Sequence, residues 1–236
     1  MQRRHRLVSL EGNIGSGKST LLDAVILALR DDPTTTVLHE PVERWAAPVL
    51  NSADGKGMLQ AYYDDPKSNG FAFQMLVLLS RIEQYQVPRP GVHTVLSERC
   101  VLSDYELFGR SMRESGLLDD VQWTTYTAWT DYARRQHAVQ QPQPHYVVYL
   151  RVSPEVSMCR IARRGRAGED AIVREYIEKL HTAHESWIAE VRRDPEARVL
   201  VLDGDLEGAG AVLTHANAIV EFLSTLQSPL GGDGRE

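Results

Sequence analysis

The sequence predicts an α/β fold in which a five-stranded parallel sheet carries helices on both faces. Short apolar runs of strand length alternate with longer segments whose apolar residues recur at helical spacing. The chain has 236 residues, which suits one such domain, and no repeat or linker is visible in it. We therefore expect a single domain over residues 1–227 and a disordered tail over residues 228–236.

Five short runs rich in valine and leucine are predicted to form the strands. They occupy residues 7–10, 36–39, 92–97, 145–152 and 198–202. In an open parallel sheet, ligands bind beyond the carboxyl ends of the strands. The residues that directly follow these runs are therefore the first candidates for a functional site.

Helices are predicted between the strands, and proline or glycine marks several of their ends. Pro154 falls in the first turn of one helix, a position that proline favours, and residues 88–91 end the most apolar one. The predicted helices cover residues 21–29, 42–50, 71–87, 101–113, 119–140, 154–162, 171–192 and a last segment ending near Leu226. Residues 51–57 and 141–144 are interpreted as loops.

Composition and charge exclude several classes of protein. A net charge of −6 argues against a polymeric nucleic-acid partner, which needs a basic face. No uninterrupted apolar stretch is long enough to span a membrane. The basic start of the chain has no apolar signal core, and Cys100 and Cys159 fit a reducing compartment. We expect a cytoplasmic protein without a mitochondrial or secretory signal, with entry into the nucleus by diffusion left open.

The strongest motif is a phosphate-binding loop that reads G-x-x-x-x-G-K-[ST], between the first strand and the first helix. It consists of Gly12, Asn13, Ile14, Gly15, Ser16, Gly17, Lys18, Ser19 and Thr20. Its backbone N–H groups and the helix dipole would cradle phosphates. Lys18 can reach the β- and γ-phosphates, and the Ser19 hydroxyl can hold Mg²⁺. The alternative is a glycine-rich turn that only caps a helix. Such a turn does not need a strand directly before it and a helix directly after it. Because both are present here, the motif predicts a P-loop fold.

Charged residues follow the second and third strands. Glu40 comes directly after the second strand, where a carboxylate can accept the proton of an attacking hydroxyl. Glu98 ends the third strand and is a candidate Mg²⁺ partner, and Arg99 beside it can neutralise phosphate charge. Taken alone, Glu40 could be an exposed glutamate without function. The presence of Glu98 and of the phosphate-binding loop favours a catalytic role.

Four arginines, Arg160, Arg163, Arg164 and Arg166, lie within seven residues of one another. A solvated basic patch or a nuclear localisation stretch are the alternatives. The cluster lies after the helix that follows the fourth strand, where P-loop kinases often carry a lid. Arginine suits phosphate oxygens, and closure of a lid excludes water. We therefore predict an arginine-rich lid.

Aromatic and polar side chains on the helices after the second and third strands are candidates for an acceptor site. Aromatic rings can sandwich a flat ring, and the Gln74 amide offers a donor and an acceptor to a base edge. The set comprises Trp45, Tyr62, Tyr63, Phe73, Gln74, Arg81, Asp104 and Phe108. On spacing alone, however, aromatic residues in a helix indicate core, and charged residues indicate surface.

The sequence resembles the deoxynucleoside kinase family, which includes deoxycytidine, deoxyguanosine and insect multisubstrate kinases. The resemblance covers roughly residues 6–206 and is carried by residues 11–20, 40–45, 97–99 with 103–104, and the arginine lid leading to residues 175–181. Many families share the phosphate-binding loop. The Glu-Pro-Val-x-Arg-Trp and Glu-Tyr-x-Glu-Lys-Leu-His runs are more specific.

The resemblance implies ATP and a deoxynucleoside as substrates, with Mg²⁺. Glu40 would be the general base for the 5′-hydroxyl, assisted by Arg99, while Glu98 and Ser19 would order Mg²⁺. The phosphates would be met by Lys18 and by Arg160, Arg164 and Arg166, with Arg163 as an additional arginine, and the donor adenine by the loop containing Asp203 and Asp205.

The same resemblance implies an acceptor site and a homodimer. Tyr63 and Glu175 would bind the 3′-hydroxyl of the sugar, Gln74 the base edge, and Phe108 and Trp45 the slot around the base. Members of the family commonly dimerise through helices equivalent to residues 71–87 and 119–140.

Substrate preference is also implied by the resemblance. Arg81 and Asp104 match members that prefer deoxycytidine and purine deoxynucleosides over thymidine. Tyr62 and Val77 depart from the deoxycytidine kinase pattern, and Cys100 replaces the usual serine, so we expect only weak anchoring by that side chain.

Two other functions stay open from the sequence. A nucleoside-monophosphate kinase would need a further cation for the acceptor phosphate, and no clear candidate lies outside the lid. A kinase-like structural protein, such as the accessory subunit of respiratory complex I, would be expected to lose Lys18 or Glu40, and both are present.

Overall fold

A computed structural model describes residues 5–48, 55–87, 89–136 and 146–227. Its five strands form a single parallel sheet, as the sequence predicts, and their order in the sheet is β2-β3-β1-β4-β5. The strands are β1 (Arg6–Glu11), β2 (Thr35–Leu38), β3 (Thr94–Glu98), β4 (Tyr146–Arg151) and β5 (Arg198–Asp203). Because the chain places β2 and β3 on one side of β1 and β4 and β5 on the other, the order reverses beside β1, where such sheets bind ligands.

Helices connect the strands and cover the sheet. The α-helices are α1 (Lys18–Ala28), α2 (Val42–Ala46), α3 (Met58–Asp64), α4 (Pro66–Gln86), α5 (Val101–Ser103), α6 (Arg110–Glu114), α7 (Asp120–Gln136), α8 (Pro154–Arg164), α9 (Arg174–Val191) and α10 (Ala209–Gln227). A π-helical segment, Asp104–Gly109, joins α5 to α6, and a 3₁₀ turn, Glu169–Ala171, precedes α9.

Alternating side chains of the buried strands form two cores on opposite faces of the sheet. On one face, Val8 and Val148 pack with Leu22 of α1 and Ile219 of α10. On the other face, Val147 and Tyr149 of β4 pack with helix α9 and with the helical segments that follow β3. This period of two is the reason that both faces need a helical cover, and it confirms the predicted helices on both faces.

Several element boundaries differ from the expectation. Helix α3 was not predicted, and α4 begins at Pro66 rather than residue 71, since Asp65 caps it by accepting a hydrogen bond from the N–H of Ser68. Helix α2 ends at Ala46, and the segment predicted as one helix over residues 101–113 contains the π turn. Residues 49–54, 88, 137–145 and 228–236 lie outside the described residues. The end of the helix predicted over 42–50, most of the loop over 51–57, the loop over 141–144, the end of the helix over 119–140 and the tail therefore lie outside the described residues.

Over the described ranges, no helix is both long and apolar enough to cross a bilayer.

His184 of α9 is a buried histidine whose pKa affects stability. Its side chain is fully buried, stacks on Tyr149 at 6.0 Å and places Nδ1 2.6 Å from the Leu180 carbonyl oxygen. Burial, with help from the charge of Arg99, lowers the pKa of His184 from 6.5 to about 3. The folded state therefore binds fewer protons than the unfolded state between these values. The contribution to stability is present above pH 6.5 and is lost as the pH falls towards 3.

Replacing His184 with glutamine should weaken the acid dependence of stability. Between pH 6.5 and 5.0, the loss in free energy of unfolding should be smaller in His184→Gln than in the wild type by about 1.5 kcal/mol, because one proton linkage is removed. Urea titrations at the two pH values measure this difference within each protein. Identical losses in both proteins would contradict the assignment.

Candidate active site

A cavity of about 700 Å³ opens beyond the carboxyl ends of the strands. It joins the phosphate-binding loop at one end to an aromatic pocket at the other. Most predicted site residues line it: Ile14, Gly15, Ser16, Gly17, Lys18, Ser19, Thr20, Glu40, Trp45, Tyr62, Tyr63, Gln74, Glu98, Arg99, Asp104, Phe108, Arg160, Arg164 and Arg166. Gly12, Asn13, Arg81, Glu175, Asp203 and Asp205 are not among the lining residues.

The phosphate-binding loop needs its glycines for steric reasons. Gly12 has a φ of 157°, and a Cβ there would lie 2.7 Å from the Leu150 carbonyl oxygen; Gly15, with a φ of 76°, would place its Cβ 2.7 Å from the Ser157 carbonyl oxygen. Asn13 braces the loop from beneath, because its side-chain amide donates to the Ile177 carbonyl at 2.9 Å. Gly12 and Asn13 thus shape the loop rather than line the cavity.

Lys18 folds back over the loop. Its Nζ donates to the carbonyl oxygens of Gly12 at 3.1 Å and Asn13 at 3.0 Å. Burial lowers the pKa of Lys18 to about 8, so the ammonium group is still mainly charged at pH 7. The loop carbonyls therefore hold a cation where terminal phosphates would lie.

Ser19 and Glu98 present oxygen atoms to the same point. The Ser19 hydroxyl donates to both carboxylate oxygens of Glu98, at 3.0 and 3.2 Å. Burial opposes ionisation of Glu98, but the contact from His39 and the charges of Lys18 and Arg99 outweigh it and lower its pKa to about 2. An ionised carboxylate beside a hydroxyl is a donor set that Mg²⁺ accepts, so the two predicted residues fit the metal.

His39 was missed by the sequence reasoning. Its Nδ1 lies 3.6 Å from Glu98 Oε2 and its Nε2 lies 3.3 Å from Asp23 Oδ1. A histidine directly before the candidate base was the available signal. It braces Glu98 from the solvent side.

Glu40 is held by two arginines. Arg81 Nη2 donates to Glu40 Oε1 at 2.9 Å, and Arg99 Nε lies 3.2 Å from the same oxygen. The Glu40 side chain is 15% exposed, whereas both arginines are almost completely buried. The carboxylate therefore reaches the cavity while its position is set from behind.

The position of Arg81 corrects the expectation that it contacts the base directly. It is fully buried behind the cavity wall, where Nη1 donates to the Glu98 carbonyl at 2.7 Å and Nη2 to Asp104 Oδ1 at 3.1 Å. Nε forms a second ion pair with the Asp104 carboxylate. Because all three guanidinium nitrogens are engaged, Arg81 orients Asp104 and Glu40. Asp104 lines the cavity, and Arg81 does not.

The π-helical segment brings Asp104 and Phe108 to the cavity together. Such segments are rare and occur frequently at functional sites. The Phe108 ring stands over the guanidinium of Arg99 at 4.7 Å. Gly109 ends the segment, and a Cβ there would lie 2.5 Å from the Tyr126 ring. Close packing on α7 thus accompanies the unusual helical turn.

Arg99 has a left-handed backbone conformation, with a φ of 60°; no other non-glycine residue in the described part of the chain has a positive φ. Its N–H donates to the Leu10 carbonyl at 3.0 Å, which holds this conformation at the end of β3. Strained residues of this kind cluster at active sites.

Cys100 anchors the turn after Arg99 more fully than expected. Its Sγ accepts from the N–H of Ser103 at 3.4 Å, and the Ser103 hydroxyl accepts from the N–H of Cys100 at 3.0 Å. The thiol thus completes a reciprocal cap.

Aromatic rings that pack on one another line one end of the cavity, which we call the slot. Tyr62 stacks on Phe73 at 4.8 Å, and Trp45 meets Phe73 edge-on at 5.9 Å. Within the described residues, the amide nitrogen of Gln74 donates to the Met112 thioether at 3.3 Å, and its oxygen accepts from Tyr126 at 3.5 Å. These are weak partners that a ligand can replace.

Arginines of the predicted lid line the cavity above the loop. Arg160 donates to the Ser16 carbonyl at 3.0 Å, and Arg164 and Arg166 pair with Glu169 at 2.5 and 3.6 Å. Arg163 also lines the cavity. Left-handed Gly165 ends α8, so Arg166 begins a new direction of chain.

Glu169, rather than Glu175, is the carboxylate that reaches the cavity from this region. Glu169 is 4% exposed and lines the cavity, whereas Glu175 is exposed in the first turn of α9. The sequence reasoning placed the acid in the Glu-Tyr-x-Glu run. The usable signal was a glutamate three residues beyond the last lid arginine, where a 3₁₀ turn folds back onto it.

The loop after β5 also lines the cavity, through Gly204, Leu206, Glu207 and Gly208. His215 of α10, which was not predicted, lines it as well. Asp203 and Asp205 do not face the cavity. Asp205 accepts from the N–H of Ser153 at 2.8 Å, and Asp203 accepts from the N–H of Asp205 at 3.2 Å. Both shape the loop instead.

Comparison with known proteins agrees with this geometry. The family model described as deoxynucleoside kinase matches residues 8–222. The chain is 31% identical to human deoxycytidine kinase, over 94% of this chain and 93% of that protein. It is 33% identical to chicken deoxycytidine kinase 2, over 96% and 92%, and 31% identical to mitochondrial deoxyguanosine kinase of Xenopus laevis, over 77% and 72%.

The family match spans most of the chain, and the cavity contains a phosphate-binding loop, a carboxylate held by two arginines and the arginines of the predicted lid. The protein therefore belongs to the deoxynucleoside kinase family.

Proposed function

We propose that this kinase transfers the γ-phosphate of ATP to the 5′-hydroxyl of deoxynucleosides, in nucleotide salvage, with Mg²⁺. One observation carries the proposal: Glu40 lines the same cavity as the phosphate-binding loop and the aromatic slot. Phosphoryl transfer needs an acceptor hydroxyl close to the γ-phosphate and in line with it. A nucleoside in the slot would bring its hydroxyl to this point.

The donor end of the cavity supplies positive charge. The loop N–H groups, Lys18 and the lid arginines would surround the phosphates, and lid closure would exclude water. Ser19 and Glu98 would hold Mg²⁺, which would neutralise charge developing on the transferred group. Arg160 is tied to both the Ser16 carbonyl and Glu207, so it would link the phosphates to the adenine end.

Glu40 would accept the proton of the 5′-hydroxyl. Arg81 and Arg99 both contact its Oε1, and the Glu40 side chain still lines the cavity. A carboxylate that is held by neighbouring groups and still reaches the substrate is the arrangement that a positioned base requires. Arg99 would also approach the transferring phosphoryl group.

Tyr63 and Glu169 would bind the sugar. Burial raises the pKa of Tyr63 and so does the nearby charge of Glu169, which keeps the phenol a hydrogen-bond donor. Because Glu169 lines the cavity and Glu175 does not, we assign the 3′-hydroxyl contact to Glu169.

Gln74 and Asp104 would read the base edge, with Phe108 stacking on the ring and Trp45 and Tyr62 lining the slot. Asp104 is locked by Arg81, so its carboxylate offers a fixed acceptor to an exocyclic amino group. Thymine has no such group and carries a methyl instead. We therefore propose deoxycytidine and purine deoxynucleosides as the preferred acceptors.

A homodimer is also proposed, on the family resemblance and on exposed apolar side chains. Helices α4 and α7 pack against each other, and Leu79, Trp129 and Tyr132 are each about half exposed on them. Exposed apolar side chains on adjacent, packed helices favour a second copy as partner. We also propose that the protein is cytoplasmic, because Cys100 and Cys159 are both free thiols.

Replacing Glu40 with glutamine should abolish most turnover. Glutamine keeps the shape but cannot accept the proton, so kcat should fall by roughly 10²- to 10⁴-fold while the Kd for deoxycytidine changes little. Transfer of labelled phosphate and calorimetric titration measure the two quantities. Glu43→Gln, an exposed carboxylate three residues away, is the matched control and should keep full activity. Unchanged turnover in Glu40→Gln would refute the base assignment.

A charge placed on the exposed helix pair should dissociate the dimer. Leu79→Glu and Trp129→Glu should each shift the mass in sedimentation analysis from two chains to one, because a buried unpaired carboxylate opposes association. Leu213→Glu, which adds the same charge at an exposed leucine of α10, should stay dimeric. A wild-type monomer at micromolar concentration would contradict the proposal.

A further inference from the structure

Glu11 is a fully buried carboxylate that the mechanism described above does not use. It ends β1, directly before the phosphate-binding loop. Neither of its carboxylate oxygens makes a hydrogen bond with the described residues. Its ion-pair contact is with Arg99, whose Nη1 lies 4.0 Å from Glu11 Oε2 and likewise makes no hydrogen bond.

The sheet brings these two side chains together. Strands β1 and β3 are parallel, with Leu10 opposite Glu98, so Glu11 and Arg99 leave the sheet side by side. The hydrogen bond from the Arg99 N–H to the Leu10 carbonyl fixes this register beyond the last strand pair. The separation of the two charges is thus set by backbone that cannot easily shift.

Three groups surround the guanidinium of Arg99. Glu40 Oε1 lies 3.2 Å from Nε, the Phe108 ring lies 4.7 Å from the central carbon, and Glu11 faces Nη1. Because Nε and Nη1 are on different sides of the planar group, holding Nη1 also fixes the direction of Nε. Without Glu11, the guanidinium could rotate away from Glu40.

Stability does not explain a carboxylate at this position. Burial raises the pKa of Glu11 to about 7, because it outweighs the opposing charges of Arg99 and Arg81. Neither carboxylate oxygen has a hydrogen-bond partner among the described residues. The charge of Glu11 also acts to raise the pKa of Lys18 and the pKa of Cys100. A buried, incompletely paired carboxylate costs free energy that a neutral side chain of similar shape would avoid.

We propose that Glu11 is a positioning residue that acts through Arg99 to keep its guanidinium against the base Glu40. The inference rests on the proposed function, since its effect appears in the phosphoryl-transfer step. Glu11 itself touches neither substrate nor the transferring group, and it does not line the cavity. Its loss should therefore affect turnover and leave substrate affinity intact.

A double-mutant cycle on the full chain tests this role. Glu11→Gln should lower kcat for deoxycytidine about tenfold, with KM for ATP and deoxycytidine within about twofold of wild type. In the Arg99→Met background, the same change should alter kcat by less than about twofold, since there is no guanidinium left to position. Thr94→Val is the control: it removes another buried, unbonded polar atom from the same sheet, at the far end of β3, and should keep wild-type kcat.

Two outcomes would overturn the inference: unchanged kcat in Glu11→Gln, or equal fractional losses in the wild-type and Arg99→Met backgrounds. If Glu11→Gln fails to unfold cooperatively, Glu11→Asp replaces it in the cycle, because it keeps the charge but withdraws it from Nη1, and the same non-additivity is required. Failure of the wild-type protein to phosphorylate any deoxynucleoside would instead refute the proposed function.

Discussion

The buried guanidinium of Arg81 is the interaction on which the rest of the site depends. It binds the Asp104 carboxylate, Glu40 and the Glu98 carbonyl, and none of its surface is exposed. These partners come from the π-helical segment, the loop after β2 and the end of β3. A buried charge that loses a partner is strongly destabilising. These three segments and α4, which carries Arg81, can therefore pack together only when all of these contacts form. Arg81 therefore orients the carboxylate proposed to read the nucleobase, Asp104, and shares with Arg99 the positioning of the proposed general base, Glu40.

Two unusual local features lie next to this network. The π turn over Asp104–Gly109 brings both Asp104 and Phe108 to the cavity, and the left-handed backbone of Arg99 turns its side chain towards Glu40. Both conformations cost free energy in isolation. The ion pairs of Arg81 and Arg99 and the close packing of Gly109 on Tyr126 offset that cost. Local strain is thus used where catalytic groups need fixed directions.

Sequence reasoning predicted the sheet, the phosphate-binding loop and the placement of Glu40, because each depends on local pattern or on the rule that sites follow strands. It placed Arg81 in the acceptor site, beside the nucleobase. Spacing along α4 does not show that this charged side chain contacts partners from three distant segments. The contact with the sugar 3′-hydroxyl was expected at Glu175 because that residue lies in a recognisable motif, whereas the 3₁₀ turn that brings Glu169 to the cavity has no comparable pattern in the sequence. Asp203 and Asp205 were expected in the loop that holds the donor adenine, but the Asp205 carboxylate accepts from Ser153, before α8, and the Asp203 carboxylate accepts from the N–H of Asp205.

The most direct test measures the transfer of labelled phosphate from ATP, labelled at the γ-phosphate, to each of the four deoxynucleosides and to each ribonucleoside in turn. A site built by Arg81, Glu40 and Asp104 predicts labelled 5′-monophosphates of deoxycytidine and the purine deoxynucleosides, with kcat/KM for thymidine lower by at least about tenfold. Binding of ATP without transfer to any deoxynucleoside, or a preference for thymidine, would contradict it.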